Sequence, residues 1–327
     1  MELSAARKDW PLRAPFQIAY ETIACLETVL VEVRDGQFRG RGEAAGVSYH
    51  GETAASMLAE IEAARSVIES GISRDRLGEL LPPGGARNAL DCALWDLEAK
   101  QKGIAVWTLA GLDPPRPCKT FFTLGLDALE STAQAAADAV ANGCTKLKLK
   151  LNGSEDVARV ACVRNAVPHA EIVVDANGSW SPRQLSELAP ELAALAVKLI
   201  EQPLPPEADD FLRDYRSSIP LCADESCQTS ECLSRLVGKY DAVCIKLDKT
   251  GGLTEALRLA RSARERGFAL MIGNMCGSSL AMAPAFLLAR QCAFVDLDGP
   301  LLNNTDWADG IRFDGSDMSP PSQEFWG

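Results

Sequence analysis

The sequence predicts an α/β protein in which a (β/α) barrel follows a smaller α+β domain. Two observations carry this prediction. Short apolar runs alternate with helical segments in the second part of the chain, and near-continuous apolar runs are typical of parallel strands buried on both faces. There are eight such runs in about 180 residues, which favours a closed barrel over an open sheet. The chain has 327 residues, of which 47% are hydrophobic, enough for a large core.

The first domain is predicted over residues 1–112. Alternating and glycine-containing segments predict two strands, and Asp35-Gly36 between them is a hairpin signal. Two segments with apolar residues at helical spacing follow, and the second is stopped by Gly103. A proline-rich stretch from Leu112 to Pro117 then marks the domain boundary. The predicted strands and helices are Glu27–Val33, Phe38–Ala45, Glu52–Glu69 and Arg87–Gln101.

The barrel is predicted over residues 113–310, with the connecting segments helical. For example, Ser181 is expected to cap a helix that has Pro182 in its first turn. The tail, residues 311–327, is expected to pack back on the first domain. The eight predicted strands are Lys119–Leu124, Thr145–Leu151, Glu171–Asp175, Val197–Glu201, Pro220–Ala223, Ala242–Lys246, Phe268–Gly273 and Phe294–Asp298.

Charge and composition exclude several classes of partner. The net charge is −12, and such an acidic surface repels nucleic acid and anionic membranes. We expect no membrane-spanning segment and no secretory signal, since the N-terminus is polar and no apolar run approaches the length of a membrane span. The 11 scattered cysteines indicate reduced, buried thiols in a cytoplasmic protein. The oligomeric state stays open, a homo-oligomer included.

Three carboxylates directly follow consecutive predicted strands: Asp175, Glu201 and Asp224. In a barrel the carboxyl ends of the strands carry the catalytic groups and meet at one mouth. Clustered carboxylates repel one another unless a cation lies between them. Oxygen ligands on rigid strand ends suit Mg²⁺, which leaves coordination positions for substrate and water. The pattern therefore predicts a magnesium site.

Lysines flank the three carboxylates on both sides. Lys148 and Lys150 alternate with leucines, so both face the barrel interior, and Lys246 ends the sixth strand. A partly desolvated ammonium near a metal ion has a lowered pKa and can act as a base near neutral pH. A metal that binds a substrate carboxylate stabilises the enediolate formed when the α-proton leaves. One lysine on each face would take and return a proton and so invert the α-carbon.

Several motifs resemble the muconate-lactonizing subgroup of the enolase superfamily, and most closely its dipeptide epimerases of the L-Ala-D/L-Glu epimerase type. The resemblance extends over essentially the whole chain, and it implies a TIM-like barrel with an N-terminal capping domain whose loops near residues 17–24 and 47–51 close the mouth. The motifs are Leu147-Lys-Leu-Lys-Leu151, Val173-Val-Asp-Ala-Asn-Gly-Ser-Trp180, Leu199-Ile-Glu-Gln-Pro203, Cys222-Ala-Asp-Glu-Ser226, Ile245-Lys-Leu-Asp-Lys-Thr-Gly-Gly252, Val295-Asp-Leu-Asp-Gly-Pro300 and Ala86-Arg-Asn-Ala-Leu-Asp-Cys-Ala-Leu-Trp-Asp-Leu97.

The resemblance also implies a role for each site residue. Asp175, Glu201 and Asp224 would bind Mg²⁺, and Lys150 and Lys246 would be the two acid/base residues. The remaining side chains would act on the substrate or support these groups. Lys148 would hold the substrate carboxylate, Asp296 and Asp298 the free ammonium of a dipeptide, and Thr123 would touch substrate; Asn177 and Glu225 would orient their neighbours.

One departure concerns the capping loop. Epimerases that act on a glutamyl residue carry an arginine there, whereas this sequence has Tyr20 followed by Glu21, with no cation through Ala24. We expect Tyr20 to contact the substrate in place of that arginine. We therefore expect a dipeptide whose second residue is uncharged, with a hydrophobic or aromatic side chain. N-acylamino-acid racemisation, cycloisomerisation and o-succinylbenzoate synthesis remain alternatives, as does a non-catalytic binding barrel. Asp296 and Asp298 argue against the first three, because those substrates offer no ammonium.

Overall fold

A computed structural model describes residues 1–18 and 21–327. Its first part is an antiparallel sheet in the order β1-β2-β3, and one helical face packs against it. The helix α3 lies on β2 and β3, and its buried face includes Ala89, Leu90 and Ala93. The elements are β1 (Glu2–Gln17), β2 (Thr22–Asp35), β3 (Phe38–Ala44), α1 (Ala54–Glu69), α2 (Arg74–Leu80) and α3 (Gly85–Lys102).

The second part is a curled sheet of eight parallel strands in sequential order, with seven parallel pairings. The Phe121 amide, just before β5, donates to the Val295 carbonyl in β12 at 2.8 Å, which joins the two ends of the sheet. The predicted (β/α) barrel is thus confirmed. Its strands are β5 (Phe122–Leu124), β6 (Lys146–Lys150), β7 (Glu171–Asp175), β8 (Ile200–Glu201), β9 (Leu221–Ala223), β10 (Ala242–Ile245), β11 (Ala269–Ile272) and β12 (Phe294–Val295).

Helices cover the outside of these strands, and a small apolar cluster that includes Phe121, Val173, Leu199 and Met271 fills the interior. This plug closes the barrel below the carboxyl ends of the strands, so polar groups collect at the mouth above it. The helices are α4 (Val106–Leu109), α5 (Leu129–Ala141), α6 (Asp156–Ala166), α7 (Pro182–Ala194), α8 (Leu233–Leu236), α9 (Leu247–Thr250), α10 (Leu253–Glu265), α11 (Ser279–Phe286) and α12 (Gly299–Leu302). None of the helices described has the length and apolarity needed to cross a bilayer.

The two parts meet where α3 packs against the turn after α9. Arg87 donates to the carbonyls of Thr250 and Gly251 at 2.6 and 3.1 Å. Gly251 has a φ of +69°, and a Cβ there would lie 2.3 Å from Arg87 Nε. Gly252 would place a Cβ 2.4 Å from an oxygen of Asp91. The Gly-Gly pair therefore lets the first domain approach the barrel next to the strand end that carries Lys246.

The C-terminal segment contacts both parts. A short hairpin, β13 (Phe313–Asp314) and β14 (Asp317–Met318), pairs with β4 (Cys118–Lys119) before the barrel. The last two residues reach the first domain, where Trp326 Nε1 donates to the Arg41 carbonyl at 3.0 Å and the Gly327 amide to Asp96 Oδ1 at 2.8 Å. The division of the chain into residues 1–112, 113–310 and 311–327 stays a prediction.

Local predictions differ from the structure at several places. The sequence pattern gave no indication of β1, because this edge strand is largely exposed, polar and interrupted by Pro11 and Pro15, which an edge tolerates. The short helix α2 was also missed. The connection from β8 to β9 is a 3₁₀ segment, Pro206–Arg213, rather than an α-helix. The capped helix expected at Ser181 is confirmed as α7, with a full capping box.

Candidate active site

The strand register brings the predicted residues side by side. Lys150 in β6 lies opposite Asp175 in β7, and Asp175 lies opposite Glu201 in β8. Asp224 follows β9 directly and Lys246 follows β10. Because neighbouring parallel strands end at one edge, the five side chains converge above the apolar plug. All five are buried.

The two lysines pair with opposite members of the carboxylate trio. Lys150 Nζ lies 2.7 Å from Asp175 Oδ2, and Lys246 Nζ lies 2.7 Å from Asp224 Oδ2. Glu201 lies between them on the middle strand, and its Oε1 is 3.9 Å from Lys246 Nζ. The chain therefore presents one amine at each end of a row of three acids.

Lys148 lies deeper in the barrel and joins the row to the last strand. Its Nζ is 2.6 Å from Glu201 Oε2, 2.9 Å from Asp296 Oδ2 and 3.2 Å from Asp175 Oδ2. Burial lowers the pKa of Lys148, but attraction to Asp296, Glu201 and Asp175 outweighs it and raises that pKa well above its usual value. Lys148 is therefore a fixed positive charge beneath the site.

The carboxylates differ in pKa because their partners differ. Burial raises the pKa of Asp175, but Lys150 and Lys148 bring it down to about 2. Asp224 shows the same balance, with Lys246 and Lys249 holding its pKa below the usual range. Burial and repulsion from Asp175 raise the pKa of Glu201 to about 7. For this middle acid, attraction to Lys148 and Lys246 lowers the pKa less than burial and the neighbouring acids raise it.

The donor set fits a hard divalent cation. Both oxygens of Glu201 are buried without a hydrogen-bond donor, because the close contact with Lys148 does not have hydrogen-bond geometry. One oxygen each of Glu201 and Asp224 and the sulfur of Cys244 lie within 4.8 Å of one another. Burial raises the pKa of the Cys244 thiol well above its usual value, so carboxylate oxygens are the better ligands there. Buried acidic oxygens that accept no hydrogen bond are what an oxygen-liganded cation such as Mg²⁺ satisfies.

The lowered pKa expected from sequence for Lys246 applies to an amine beside a metal ion and stays a prediction. Among the protein's own groups, burial lowers the pKa of Lys246, but attraction to Asp224 raises it well above the usual value. The physical reason is the carboxylate 2.7 Å away, which stabilises the ammonium form.

Asn177 and Glu225 support the Lys150 side. Asn177 has a φ of +45°, a conformation that asparagine adopts more readily than most residues. Its Oδ1 accepts from Lys150 Nζ at 3.0 Å, and its Nδ2 donates to Glu225 Oε1 at 3.1 Å. Glu225 Oε2 is buried without a donor, and burial together with Asp224 raises the pKa of Glu225 to about 7.

Asp296 and Asp298 lie beside the first strand of the barrel. Thr123 binds both, through its amide to Asp298 Oδ2 at 2.6 Å and through its hydroxyl to Asp296 Oδ1 at 3.3 Å. Burial and repulsion from Asp296 raise the pKa of Asp298 to about 6. Both acids are deeply buried, and neither is among the residues that line the cavity between the barrel mouth and the first domain.

A cavity of about 390 Å³ opens above the lysines, between the barrel mouth and the first domain. Its barrel wall includes Lys150, Lys246, Met275 and Cys276. Its other wall comes from the first domain and comprises mainly apolar and acidic side chains, among them Phe16, Ile18, Glu21, Ile23, Cys25, Tyr49 and Glu52. Tyr20, predicted to contact substrate, lies outside the described residues. Within the described chain the cations that line the cavity are the two lysines.

Lys249 was not predicted from the sequence. It is 1% exposed, and it pairs with the side chain and the main-chain carbonyl of Asp224. The available signal was its position three residues after Lys246 in a short polar segment between an apolar strand and Gly251-Gly252.

Fold and site together define an enolase-type barrel enzyme, with a capping domain over a mouth that carries acidic and amine side chains. The sequence model of the mandelate racemase/muconate lactonizing enzyme N-terminal domain matches residues 1–111, and that of the enolase C-terminal domain-like family matches residues 131–310. The chain belongs to this family.

Relatives and solved structures agree on the class of chemistry. An L-Ala-D/L-Glu epimerase of Escherichia coli is 41% identical over 93% of this chain and 95% of its own. An N-acetyl-D-glutamate racemase of Pseudoalteromonas is 43% identical over 91% and 95% of the two chains. An enolase family member from Agrobacterium tumefaciens with homology to dipeptide epimerases, with sodium and L-Ala-L-Glu bound, superposes with a TM-score of 0.96 at 40% identity over 99% of both chains. A dipeptide epimerase from Methylococcus capsulatus, solved with Mg and L-Arg-D-Lys, has a TM-score of 0.89 at 29% identity, over 98% and 96% of the two chains.

Proposed function

We propose that this protein is a magnesium-dependent dipeptide epimerase, an isomerase that inverts the α-carbon of the C-terminal residue of a dipeptide. The observation that carries the proposal is the pairing of Lys150 with Asp175 and of Lys246 with Asp224, which places an amine at each end of the acidic row. Two bases that approach one carbon from opposite faces exchange its proton with inversion.

Each residue then has a distinct task. One of Lys150 and Lys246 removes the α-proton and the other delivers a proton to the opposite face. Asn177, which accepts from Lys150 Nζ at 3.0 Å, holds that amine in place. Lys148 is the buried positive charge that stabilises the substrate carboxylate. Asp175, Glu201 and Asp224 would hold Mg²⁺, which when bound would coordinate the same carboxylate and stabilise the negative charge that develops as the proton leaves.

Asp296 and Asp298 are proposed to bind the free ammonium of the dipeptide, assisted by Thr123. A dipeptide carries an ammonium at one end and a carboxylate at the other. The two acids would attract the ammonium, as Lys148 would attract the carboxylate. This pair separates a dipeptide from an acylated amino acid, which carries no ammonium.

The second residue of the substrate is proposed to be uncharged. The described wall of the capping domain combines apolar side chains with Glu21 and Glu52, so a glutamyl side chain would meet like charge there. Two relatives are named for glutamate-containing substrates. L-Ala-L-Glu is therefore the substrate against which an uncharged dipeptide should be compared.

N-acylamino-acid racemisation is the second candidate. The Pseudoalteromonas relative, named an N-acetyl-D-glutamate racemase, is the observation that favours it. The same two lysines and the same acidic row would serve that reaction, and only the ammonium site would be unused. Comparison of L-Ala-L-Leu with N-acetyl-L-Leu as substrates separates the two candidates.

The setting that we propose is cytoplasmic, with a small-molecule dipeptide as the partner. The 11 cysteines are all unpaired in the structure, which suits a reducing compartment. A homo-oligomer is compatible with the proposal, and size-exclusion chromatography with light scattering reads the oligomeric state directly.

The test of the function is solvent hydrogen exchange. A dipeptide library incubated with the protein and Mg²⁺ in D₂O should gain one deuterium at the C-terminal α-position, read by mass spectrometry, with loss of optical purity. EDTA should abolish the exchange, and added Mg²⁺ should restore it. Folded protein that exchanges no dipeptide and no N-acylamino acid would overturn the proposal.

A further inference from the structure

Lys249 is a buried lysine whose hydrogen-bonding capacity is used up within the protein. It lies in α9, and its ammonium donates to the Asp224 carboxylate, to the Asp224 carbonyl at 2.6 Å and to the Cys244 carbonyl at 3.0 Å. A lysine ammonium has three donors, and each has an acceptor here. Lys249 is also absent from the described lining of the cavity. Its effect on the reaction must therefore pass through another residue.

That residue is Asp224. Lys249 holds Asp224 Oδ1, while Asp224 Oδ2 faces Lys246 at 2.7 Å. Without Lys249 the carboxylate would be free to rotate, because its other donor, Lys246, lies on the cavity side. Partners behind a metal ligand orient that ligand, and their loss typically costs about 10–100-fold in metal affinity.

The position of Lys249 is itself fixed by the capping domain. Its neighbour Asp248 accepts from the Gly46 amide at 2.8 Å, and Arg87 holds the next carbonyl, that of Thr250, at 2.6 Å. These contacts hold the short helix α9 against the capping domain. Lys249 is therefore rigid enough to set the direction of a carboxylate.

We propose that Lys249 is a positioning residue that fixes Asp224 in the orientation needed to bind the divalent cation. The proposal rests on the metal site of the proposed function. If Lys249 orients Asp224, its removal weakens cation binding. If Lys249 acted only by charge repulsion, removal of its ammonium would tighten cation binding. The sign of the change in affinity therefore decides between orientation and repulsion.

The experiment is a titration of the metal-free protein with Mn²⁺ alone, followed by electron paramagnetic resonance and calorimetry, without substrate. Lys249→Met should raise the Mn²⁺ dissociation constant about 10–100-fold. Lys249→Gln, which keeps an amide with two donors but no charge, should lie between Met and wild type. Lys100→Met is the matched control, because Lys100 also donates to a buried carboxylate, that of Asp96 at 2.8 Å, but lies in α3 of the capping domain. The control should lose thermal stability with no change in Mn²⁺ affinity.

Unchanged or tighter Mn²⁺ binding by folded Lys249→Met overturns the proposal while the function stands. If that variant does not fold, as judged by circular dichroism, Lys249→Gln decides by the same criterion. Equal weakening in Lys100→Met would show a general stability effect and also overturn it. A wild-type protein that binds no Mn²⁺ contradicts the proposed function itself, and the role of Lys249 falls with it.

Discussion

Glu21 provides a direct test of how the capping domain selects the substrate side chain. It lines the cavity, is partly buried, and accepts a hydrogen bond from Ser48 Oγ at 3.1 Å. Glu21→Arg would replace a negative charge with a positive one on the wall that we propose faces the second residue of the dipeptide. The substitution should raise activity on L-Ala-L-Glu relative to L-Ala-L-Leu.

The magnitude follows from the position of Glu21 at a solvated cavity wall. A partly exposed ion pair is worth up to about 1 kcal/mol, and removal of a comparable repulsion adds a similar amount. The combined change of about 1–2 kcal/mol corresponds to a shift of roughly 5–30-fold in the ratio of kcat/KM values. Because the charges are solvated, the shift should shrink as salt is added.

The assay measures kcat/KM for both dipeptides by deuterium incorporation, with Glu21→Gln as the control that removes the repulsion but adds no attraction. The ratio should rise from wild type to Glu21→Gln to Glu21→Arg. An unchanged ratio in both variants would refute the assignment of this wall to the second residue. A wild-type preference for L-Ala-L-Glu over L-Ala-L-Leu or L-Ala-L-Phe would refute the uncharged-substrate proposal.

Two further substitutions test the acidic row and the domain junction. Asp224→Asn should weaken Mg²⁺ binding at least about tenfold, read as the Mg²⁺ concentration for half-maximal activity; an unchanged Mg²⁺ dependence would count against Asp224 as a ligand. Burial raises the pKa of Asp91, which binds the Thr254 amide and hydroxyl, to about 6. The folded state therefore binds more protons than the unfolded state between about pH 4 and 6, so stability should fall by about 3 kcal/mol as pH rises through that window. Asp91→Asn should remove this fall, which is measured by urea unfolding at a series of pH values. If the free energy of unfolding depends on pH equally in the two proteins, the pKa of Asp91 is not raised in the folded state.

The barrel and the row of acids were predictable because both follow from local pattern. Each of Asp175, Glu201 and Asp224 lies at the end of an apolar run. Neighbouring parallel strands bring such ends together regardless of the length and sequence of the connecting loops. The alternation of Lys148 and Lys150 with leucines likewise indicated the interior face. The sequence therefore predicted the location of the chemistry with no knowledge of the loops.

Other features depend on contacts between distant parts of the chain. Lys249 is buried because α9 places it next to Asp224. Its local sequence does not predict that orientation of α9. Lys148 was expected at the substrate carboxylate, yet it also pairs with Asp296 at the far end of the sheet. The raised pKa of Lys246 arises from a carboxylate 22 positions earlier in the sequence. Sequence spacing shows which groups converge, and side-chain packing decides how their charges balance.

The stereochemistry of exchange in Lys150→Ala and Lys246→Ala tests the account most directly. Each variant should lose epimerisation but still exchange the α-proton of one dipeptide stereoisomer in D₂O, and the two variants should retain opposite stereoisomers, because each keeps the base on one face. Full turnover in both variants, or retention of the same stereoisomer by both, would contradict the placement of the two amines on opposite faces of the reacting carbon.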